Sequence, residues 1–130
     1  MILQDLDIRY ILSAYRLVHE TIFTLPSYSK AGSEEQILVY TPNRLIEHIE
    51  NPDRLNTVVI DSGEVVGFCF GVVERLPNAN MFYLEWNGVN PTYRNKGMMQ
   101  SMWNRIDEWS HKKQLDGVLV DTLTNNQKND

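Results

Sequence analysis

The sequence of 130 residues contains little cysteine and has no long apolar run. Its single cysteine, Cys69, cannot form a disulfide within the chain, so nothing indicates an oxidising compartment. No segment approaches the roughly 18 consecutive apolar residues that a membrane-spanning helix needs. The first residues lack the basic and apolar regions of a secretory signal peptide. We therefore expect a cytoplasmic protein with no membrane partner.

Positive charge is also scarce, because 12 Lys and Arg residues stand against 17 Asp and Glu residues and the net charge is -5. A nucleic-acid-binding protein needs a basic face, so we expect no nucleic-acid partner. The charge is uneven: residues 1–93 hold six basic and twelve acidic side chains, whereas residues 94–130 hold six and five. The acidic part favours a cationic substrate, and the more basic part favours an anionic cofactor.

Apolar residues at helical spacing predict a first helix, capped by Asp7. Its expected apolar stripe comprises Ile8, Ile11, Leu12, Tyr15, Val18 and Ile22. The polar stretch Ser27–Glu35 is predicted as a loop. A short second helix is expected to begin at Thr41-Pro42, with Thr41 as its cap and an apolar face formed by Leu45, Ile46 and Ile49. The strongest helical pattern covers Gly97–Lys113, with Met98, Met102, Ile106 and Trp109 facing inward.

Runs of β-branched and aromatic residues predict strands at 57–60, 65–73, 81–89 and 118–123, with a very short one at 1–3. Short turns join the middle strands, which should therefore pair antiparallel. The last strand follows a crossover helix and should lie parallel to the strand at 81–89. We predict one α/β domain over residues 1–130, with a mixed, mostly antiparallel sheet and helices on both faces.

The most informative segment is Leu84–Met99, where a strand leads through a tight loop directly into a helix. The first turn of a helix presents unpaired N–H groups and the positive end of the helix dipole, and both attract anions. Arg94 and Lys96 add positive charge in the loop, and Gly97 lets an anion approach the backbone. The segment therefore predicts a phosphate or diphosphate site, although it matches neither G-x-x-x-x-G-K-[ST] nor G-x-G-x-x-G.

Residues 89–99 (Val-Asn-Pro-Thr-Tyr-Arg-Asn-Lys-Gly-Met-Met) resemble the acyl-CoA-binding motif of the GNAT superfamily of N-acetyltransferases, which reads roughly V-x-P-x-x-[RQ]-x-x-G-x-[GA]. The strand before the motif, the amphipathic helix after it and the hairpin Val58–Val73 are also similar to that family. The resemblance covers about residues 1–126 in the order of the elements. It implies a GNAT-like fold and acetyl-CoA as cosubstrate.

The resemblance implies that backbone N–H groups of the loop and the helix start bind the diphosphate of coenzyme A. These groups belong to Arg94, Asn95, Lys96, Gly97, Met98 and Met99. The pantetheine arm would lie between the strand at 81–89 and the next parallel strand, with the backbones of Gly88 and Val89 as polar anchors. Asn126 or Asn125 would be the polar residue that the family places after the last strand.

Two features depart from the family pattern. Met99 replaces the final small residue of the motif, which would narrow the cradle unless the side chain faces the core. The family also continues past the last strand with a further helix and hairpin, so we expect a C-terminally truncated member or a shortened chain. A second copy is then expected to cover the strand edge at 118–123, since bare strand edges associate.

Acetyl transfer to an amine requires a base for the amine proton, a donor for the carbonyl oxygen and an acid for the leaving thiolate. The family often places a carboxylate on the strand before the motif, and the resemblance implies Glu85 as the base. Tyr83 shares the face of Glu85 by strand alternation and is the candidate acid. A solvated or structurally paired carboxylate at Glu85 is the alternative.

The remaining reactive side chains have simpler interpretations. His19, His48 and His111 lack the spacing of metal ligands, so we expect no metal site. Cys69 lies in an apolar strand without a basic neighbour and is interpreted as a core residue rather than a nucleophile.

Three functions remain open at this point. The first is an acetyl-CoA-dependent N-acetyltransferase that acts on a primary amine of a small molecule or protein, with its acceptor site in the first helices and the loop at 25–40. The second is a non-catalytic acyl-CoA-binding module or truncated pseudoenzyme. The third is a structural or interaction protein that keeps only the fold.

Overall fold

A five-stranded sheet forms the centre of the computed structural model, which describes residues 1–24, 29–94 and 96–120. The strands are β1 (Ile2–Asp5), β2 (Arg54–Asp61), β3 (Glu64–Leu76), β4 (Ala79–Val89) and β5 (Gly117–Val120). The helices are α1 (Ile11–Phe23), α2 (Lys30–Ile37), α3 (Pro42–Glu50) and α4 (Met98–Lys112). Single 3-10 turns cover Ile8–Tyr10, Leu38–Tyr40 and Pro91–Tyr93.

The strands lie in sequence order across the sheet, and each consecutive pair from β1 to β4 is antiparallel. β5 follows the crossover helix α4 and pairs parallel to β4, from Met81 opposite Gly117 to Leu84 opposite Val120. The predicted mixed, mostly antiparallel α/β sheet is therefore confirmed. Of the helices in the described residues, none is long and apolar enough to cross a membrane.

Each face of the sheet carries its own apolar core. Helices α1 to α3 cover one face, where Val18, Ile22, Leu45, Phe68 and Phe70 are among the buried side chains. Helix α4 covers the other face, where its inward residues pack against strand side chains; this core includes Leu55, Phe82, Met98, Met102 and Ile106. The predicted inward face of α4 is therefore confirmed, with Trp109 partly buried against the same core.

A tight turn at Ser62-Gly63 joins β2 to β3, as the sequence predicts. Both residues have positive φ, at 53° and 78°, which is the backbone that a two-residue hairpin requires. The turn places Asp61, the last residue of β2, at the same end of the sheet as the loop between β4 and α4, where its side chain contacts Tyr93.

A β-bulge interrupts the pairing of β3 with β4. Phe70 lies opposite Trp86 and Gly71 lies opposite Leu84, so Glu85 is the extra residue. The bulge reverses the alternation of side chains along β4, because Leu84 packs in the core under α4 whereas Trp86 packs in the core under α1. The sequence marks Gly71, a glycine inside the β3 run, as a candidate bulge site, and the register shift falls there, although β4 itself was predicted as a regular strand.

Helix α2 corrects the predicted loop at Ser27–Glu35, because Lys30–Ile37 is helical. The side chain of Ser29 caps the helix and accepts a hydrogen bond from the Gly32 N–H at 3.0 Å. Only Ser33 and Ile37 of this helix are buried. So short and polar a helix shows no apolar periodicity, which is why the pattern did not reveal it.

The apolar stripes predicted for the helices now labelled α1 and α3 were partly wrong. Asp7 caps the 3-10 turn that precedes α1, and Ile8 and Leu12 are exposed, at 70% and 66%. The buried residues of α1 instead include Ser13, Ala14 and Leu17, which the predicted stripe did not contain. In α3 the side chain of Thr41 makes no cap hydrogen bond, and His48 is buried where Ile49 was expected.

Candidate functional site

The loop between β4 and α4 is folded by its own polar residues. The side chain of Asn90 accepts hydrogen bonds from the N–H of Thr92 at 3.1 Å and from the hydroxyl of Thr92 at 2.9 Å. The Asn90 N–H donates to the carbonyl of Val66 at 2.8 Å, which fastens the loop to β3. Pro91 begins the 3-10 turn, where its missing N–H leaves no donor unpaired.

Tyr93 connects this loop to the neighbouring hairpin. Its hydroxyl donates to Oδ2 of Asp61 at 2.6 Å, and its ring packs against the core under α4. The hydrogen bond to the Asp61 carboxylate raises the pKa of Tyr93 above its ordinary value. The contact therefore holds the loop against the end of β2.

Helix α4 begins without a cap from any side chain among the described residues. Gly97 occupies its N-cap in the left-handed region, with φ 73°, and its carbonyl accepts the first helical hydrogen bond from Ser101 at 3.2 Å. No acceptor among the described residues reaches the N–H groups of Met98, Met99 and Gln100. Three donors and the positive end of the helix dipole therefore face outward together.

A groove of about 400 Å³ lies in front of this helix start. Its walls are the end of β4 (Asn87–Val89), Tyr93 and Arg94, and the segment from Lys96 to Gln100. Arg94 and Lys96 are exposed and form no ion pair with another described residue. The groove therefore combines two cationic side chains, neither paired with a described carboxylate, with the N–H groups at the start of α4.

The predicted diphosphate residues do not contribute equally. The N–H of Arg94 is already used, because it donates to the carbonyl of Pro91 at 3.4 Å, so Arg94 offers its guanidinium rather than its backbone. Met98 is buried and fills the space left by Gly67, whereas Met99 is half-buried and partly packed on the core. Asn95, Asn125 and Asn126 lie outside the described residues.

Gly88 marks a place where β4 runs close to α1. A Cβ atom on Gly88 would lie 2.8 Å from the Phe68 ring and 3.0 Å from the Thr21 methyl group, so only glycine fits there. Beyond Leu84, β4 extends past the described end of β5, with which it pairs only at Met81–Leu84. Gly88 and Val89 line the groove on this side.

The predicted base, Glu85, is held by an arginine that the sequence prediction missed. Arg54 Nη1 donates to Glu85 Oε1 at 2.8 Å, and Arg54 Nη2 donates to Oε2 at 3.2 Å. The structurally paired carboxylate, the alternative considered above, is therefore the arrangement present. Tyr83 lies two residues earlier in β4, half-buried and opposite Val72. In the sequence, the one sign of this pair was an arginine at the start of an apolar strand.

Comparison with known proteins identifies the family. No curated protein sequence matches the chain. The family model described as "Acetyltransferase (GNAT) family" matches residues 16–129, which is most of the sequence. The chain belongs to this family.

Solved structures with the same fold include several acetyltransferases. A predicted acetyltransferase with acetyl-CoA from Clostridium acetobutylicum aligns with a TM-score of 0.75 and 9% identity, covering 92% of this chain and 79% of that one. Glucosamine-6-phosphate N-acetyltransferase from Arabidopsis thaliana gives 0.67 and 15%, covering 92% and 80%. An aminoglycoside acetyltransferase from an uncultured soil metagenomic sample, in complex with sisomicin, gives 0.63 and 13%, covering 92% and 76%.

The groove of this GNAT chain has the chemistry that the diphosphate of acetyl-CoA needs. An anion of that kind is bound by helix N-termini through unpaired N–H groups, with Arg or Lys as counter-charges. The N–H groups of Met98, Met99 and Gln100 and the side chains of Arg94 and Lys96 are such groups. The residues present therefore fit the cosubstrate of the family.

The other reactive side chains of this GNAT chain are buried or dispersed. Cys69 is buried, as predicted, and burial raises the pKa of its thiol to about 12, so it is inert. Burial, with the nearby charge of Arg54, lowers the pKa of His48 to about 4. Within the described ranges, no three His, Cys, Asp or Glu side chains cluster as metal ligands do.

Proposed function

We propose that this GNAT-family chain transfers an acetyl group from acetyl-CoA to a primary amine of a small molecule or protein. The observation that carries the proposal is the start of α4, where three N–H groups with no acceptor among the described residues border a groove beside Arg94 and Lys96. Anionic ligands bind such helix starts through backbone hydrogen bonds and the helix dipole. The diphosphate of acetyl-CoA is the anion that the family supplies.

The diphosphate contacts are assigned to the backbones of Lys96, Gly97, Met98 and Met99 and to the guanidinium of Arg94. Gln100, which the sequence prediction did not include, joins them because its N–H also precedes the first helical bond. The roles predicted for Asn95 and Asn126 stay predictions.

The reactive centre is assigned to the bulge in β4, which lies beyond the residues that line the groove. Glu85 lies four positions before Val89 along the strand, which is about 13 Å at the usual strand rise. The pantetheine arm would follow this length of β4, and the backbones of Gly88 and Val89 would anchor it. Acetyl-CoA supplies an activated acetyl thioester, and a backbone N–H of residues 86–89 would donate to its carbonyl oxygen.

The acceptor amine must lose a proton, because an amine with a pKa of ~10.4 is almost wholly protonated at pH 7. Glu85 would take that proton, directly or through a water molecule, and Tyr83 would protonate the leaving thiolate. Arg54 occupies one lone pair of each Glu85 oxygen, and the remaining lone pairs are available for this contact.

The same ion pair favours a second candidate function. A carboxylate whose two oxygens both accept from one guanidinium can serve simply to join two strands. A non-catalytic acyl-CoA-binding module, with the groove intact and Glu85 purely structural, would have this arrangement. Thiol release separates the two functions.

Related enzymes suggest the amines to test first. The Arabidopsis protein acts on glucosamine 6-phosphate, and the soil enzyme was crystallised with the aminoglycoside sisomicin. Both are amines, so these compounds, a polyamine and a lysine peptide form a suitable panel for this chain. An acceptor site in the first helices and the loop at 25–40, of which residues 25–28 lie outside the described residues, stays a prediction.

Several further expectations also stay predictions. They are a homodimer across the strand edge at 118–123, of which residues 121–123 lie outside the described residues, a cytoplasmic location and the lack of a metal cofactor. Size-exclusion chromatography with light scattering would test the first of these.

The decisive experiment has two stages. Acetyl-CoA at about 100 times its dissociation constant should stabilise the fold by ~2.7 kcal/mol and raise the melting temperature measurably. The amine panel is then assayed for thiol release from acetyl-CoA. A melting temperature that does not respond to acetyl-CoA contradicts both candidate functions, whereas binding without thiol release favours the non-catalytic module.

A further inference from the structure

The ion pair between Arg54 and Glu85 is the most shielded one in the described part of the chain. Its side chains are 13% and 18% exposed, whereas every other ion pair between described residues has a partner at least one-third exposed. Two donor nitrogens meet two acceptor oxygens, at 2.8 and 3.2 Å. Such a fork fixes the plane and direction of a carboxylate, which a single contact does not.

The pair joins two strands that are not neighbours. Arg54 is the first residue of β2 and Glu85 lies in β4, with β3 between them. Neighbouring strands lie about 4.8 Å apart, so the two side chains reach across about 10 Å of sheet. Glu85 is also the bulge residue of β4. The contact therefore fastens the irregular point of β4 to a regular strand.

Among the described residues, Glu85 is the one carboxylate that forms an ion pair with Arg54. The nearest titratable group on α3 is His48, which is buried and neutral at pH 7 because its pKa is about 4. Nδ1 of His48 lies 3.2 Å from Nδ2 of Asn56, which follows Arg54 by two residues on β2. Arg54 is near enough to His48 for its charge to help lower the pKa of that imidazole, while its hydrogen bonds go to Glu85.

We propose that Arg54 is a positioning residue, whose forked contact holds the Glu85 carboxylate and the β4 bulge in the geometry required for acetyl transfer. This inference rests on the proposed function, because it assigns Arg54 a role in the same site. Arg54 touches neither substrate in this account and acts through Glu85. A small displacement of a reacting group is enough to lower a rate by ~100-fold, so loss of the fork should reduce turnover rather than cosubstrate binding.

The test uses the variants Arg54→Met, Arg54→Lys and Glu85→Gln, the double variant R54M/E85Q, and Arg75→Met as the matched control. Arg75 in β3 also pairs with a carboxylate, since its Nη2 donates to both oxygens of Asp53 at 3.2 and 3.3 Å, but this pair is exposed and does not include the bulge residue. For each protein we would measure the dissociation constant of acetyl-CoA by calorimetry, kcat and KM by thiol release with the best amine of the panel, and the folded fraction by circular dichroism.

Arg54→Met is expected to lower kcat by at least about 10-fold per folded molecule and to leave the acetyl-CoA dissociation constant within twofold. Arg54→Lys keeps the charge without the fork, so it should recover thermal stability more than kcat. The double variant should be no slower than Glu85→Gln, because the two residues act as one unit. Arg75→Met should match the wild type.

Other outcomes overturn the proposal. It fails if kcat follows the folded fraction in all variants, if Arg54→Lys restores kcat together with stability, or if the effects of Arg54→Met and Glu85→Gln multiply in the double variant. It also fails if the wild type binds acetyl-CoA but releases no thiol with any amine. A wild type that does not bind acetyl-CoA, or that binds it without releasing thiol, contradicts the proposed transferase function itself, whereas the three variant outcomes with an active wild type contradict only the role of Arg54.

Discussion

The hydroxyl of Tyr93 lies 2.6 Å from Oδ2 of Asp61, and this contact joins the loop in front of α4 to the last residue of β2. Asp61 is itself fixed by the tight turn at Ser62-Gly63. The loop that carries Arg94 and Lys96 is therefore held by a rigid hairpin rather than by its own sequence alone. A preorganised loop loses less freedom when it binds a ligand.

Tyr93→Phe should weaken acetyl-CoA binding several-fold, because it removes the hydroxyl that holds the loop and leaves the Asp61 carboxylate unpaired beside an anion site. Calorimetric titration with acetyl-CoA measures this effect. Asp61→Asn keeps an acceptor for the phenol and should be milder than Asp61→Ala. Tyr10→Phe is the control, since Tyr10 lies beside Arg9 and away from the groove. Equal affinities of Tyr93→Phe and the wild type would contradict this role.

Gly97→Ala should destabilise the fold by ~1–2 kcal/mol and also weaken acetyl-CoA binding. Gly97 has φ 73° with open space around a built Cβ, so the cost comes from the left-handed backbone and not from a clash. Gly63→Ala is a matched control, because Gly63 has φ 78° and equally open surroundings in the β2–β3 turn. Urea unfolding should show a similar decrease in the free energy of unfolding for both variants. If both bind acetyl-CoA as the wild type does, the conformation of Gly97 is not needed for the site.

The sequence predicted the sheet and the motif helix because both have strong apolar patterns, and the Asp61–Glu64 turn has residues that accept positive φ. It missed α2, whose two buried residues give no periodicity. It also placed Ile8 in the core, because a helical wheel does not apply to the 3-10 turn before α1, and it placed Leu12 there although this residue is exposed in the first turn of α1. Such errors arise where tertiary packing, rather than local pattern, decides burial.

The stability of the protein should fall as the pH is lowered from about 6.5 to about 4, through His48. Burial, with the charge of Arg54, lowers the pKa of His48 in the folded state to about 4, whereas the unfolded chain has an ordinary histidine. Between these pH values His48 is protonated in the unfolded state but not in the folded state, so lowering the pH favours unfolding. Urea unfolding at several pH values should show a shallower slope for His48→Gln than for the wild type. Equal slopes would exclude His48 as the cause.

Cys69 should not react with a thiol reagent such as DTNB at pH 8 while the protein is folded. Its side chain is 1% exposed and burial raises its pKa to about 12, so neither access nor thiolate is available. Unfolding in urea should expose the Cys69 thiol, so that one equivalent reacts with DTNB immediately. Rapid labelling of the native protein would show that β3 opens locally, and loss of thiol release from acetyl-CoA on labelling would reopen a catalytic role for Cys69.

The candidate site was predictable only in part. The motif resemblance pointed to the loop and the start of α4, because backbone donors and nearby cations are local in sequence. Arg54 was not predictable as the partner of Glu85, because the two residues are 31 positions apart and meet across β3. The bulge at Glu85 depends on how β3 and β4 pair, which a single strand's alternation does not reveal.

The central claim is that the start of α4 is the docking point for the diphosphate of acetyl-CoA. Nitrogen-15 NMR during titration with acetyl-CoA tests it most directly, since the amide signals of Met98, Met99 and Gln100 report their own hydrogen bonds. We expect these three signals to shift most on titration with acetyl-CoA and to shift by similar amounts with coenzyme A. The amide signal of Gly63 should not move. Saturable binding of acetyl-CoA that leaves the three signals in place, or no binding at all, would contradict the account.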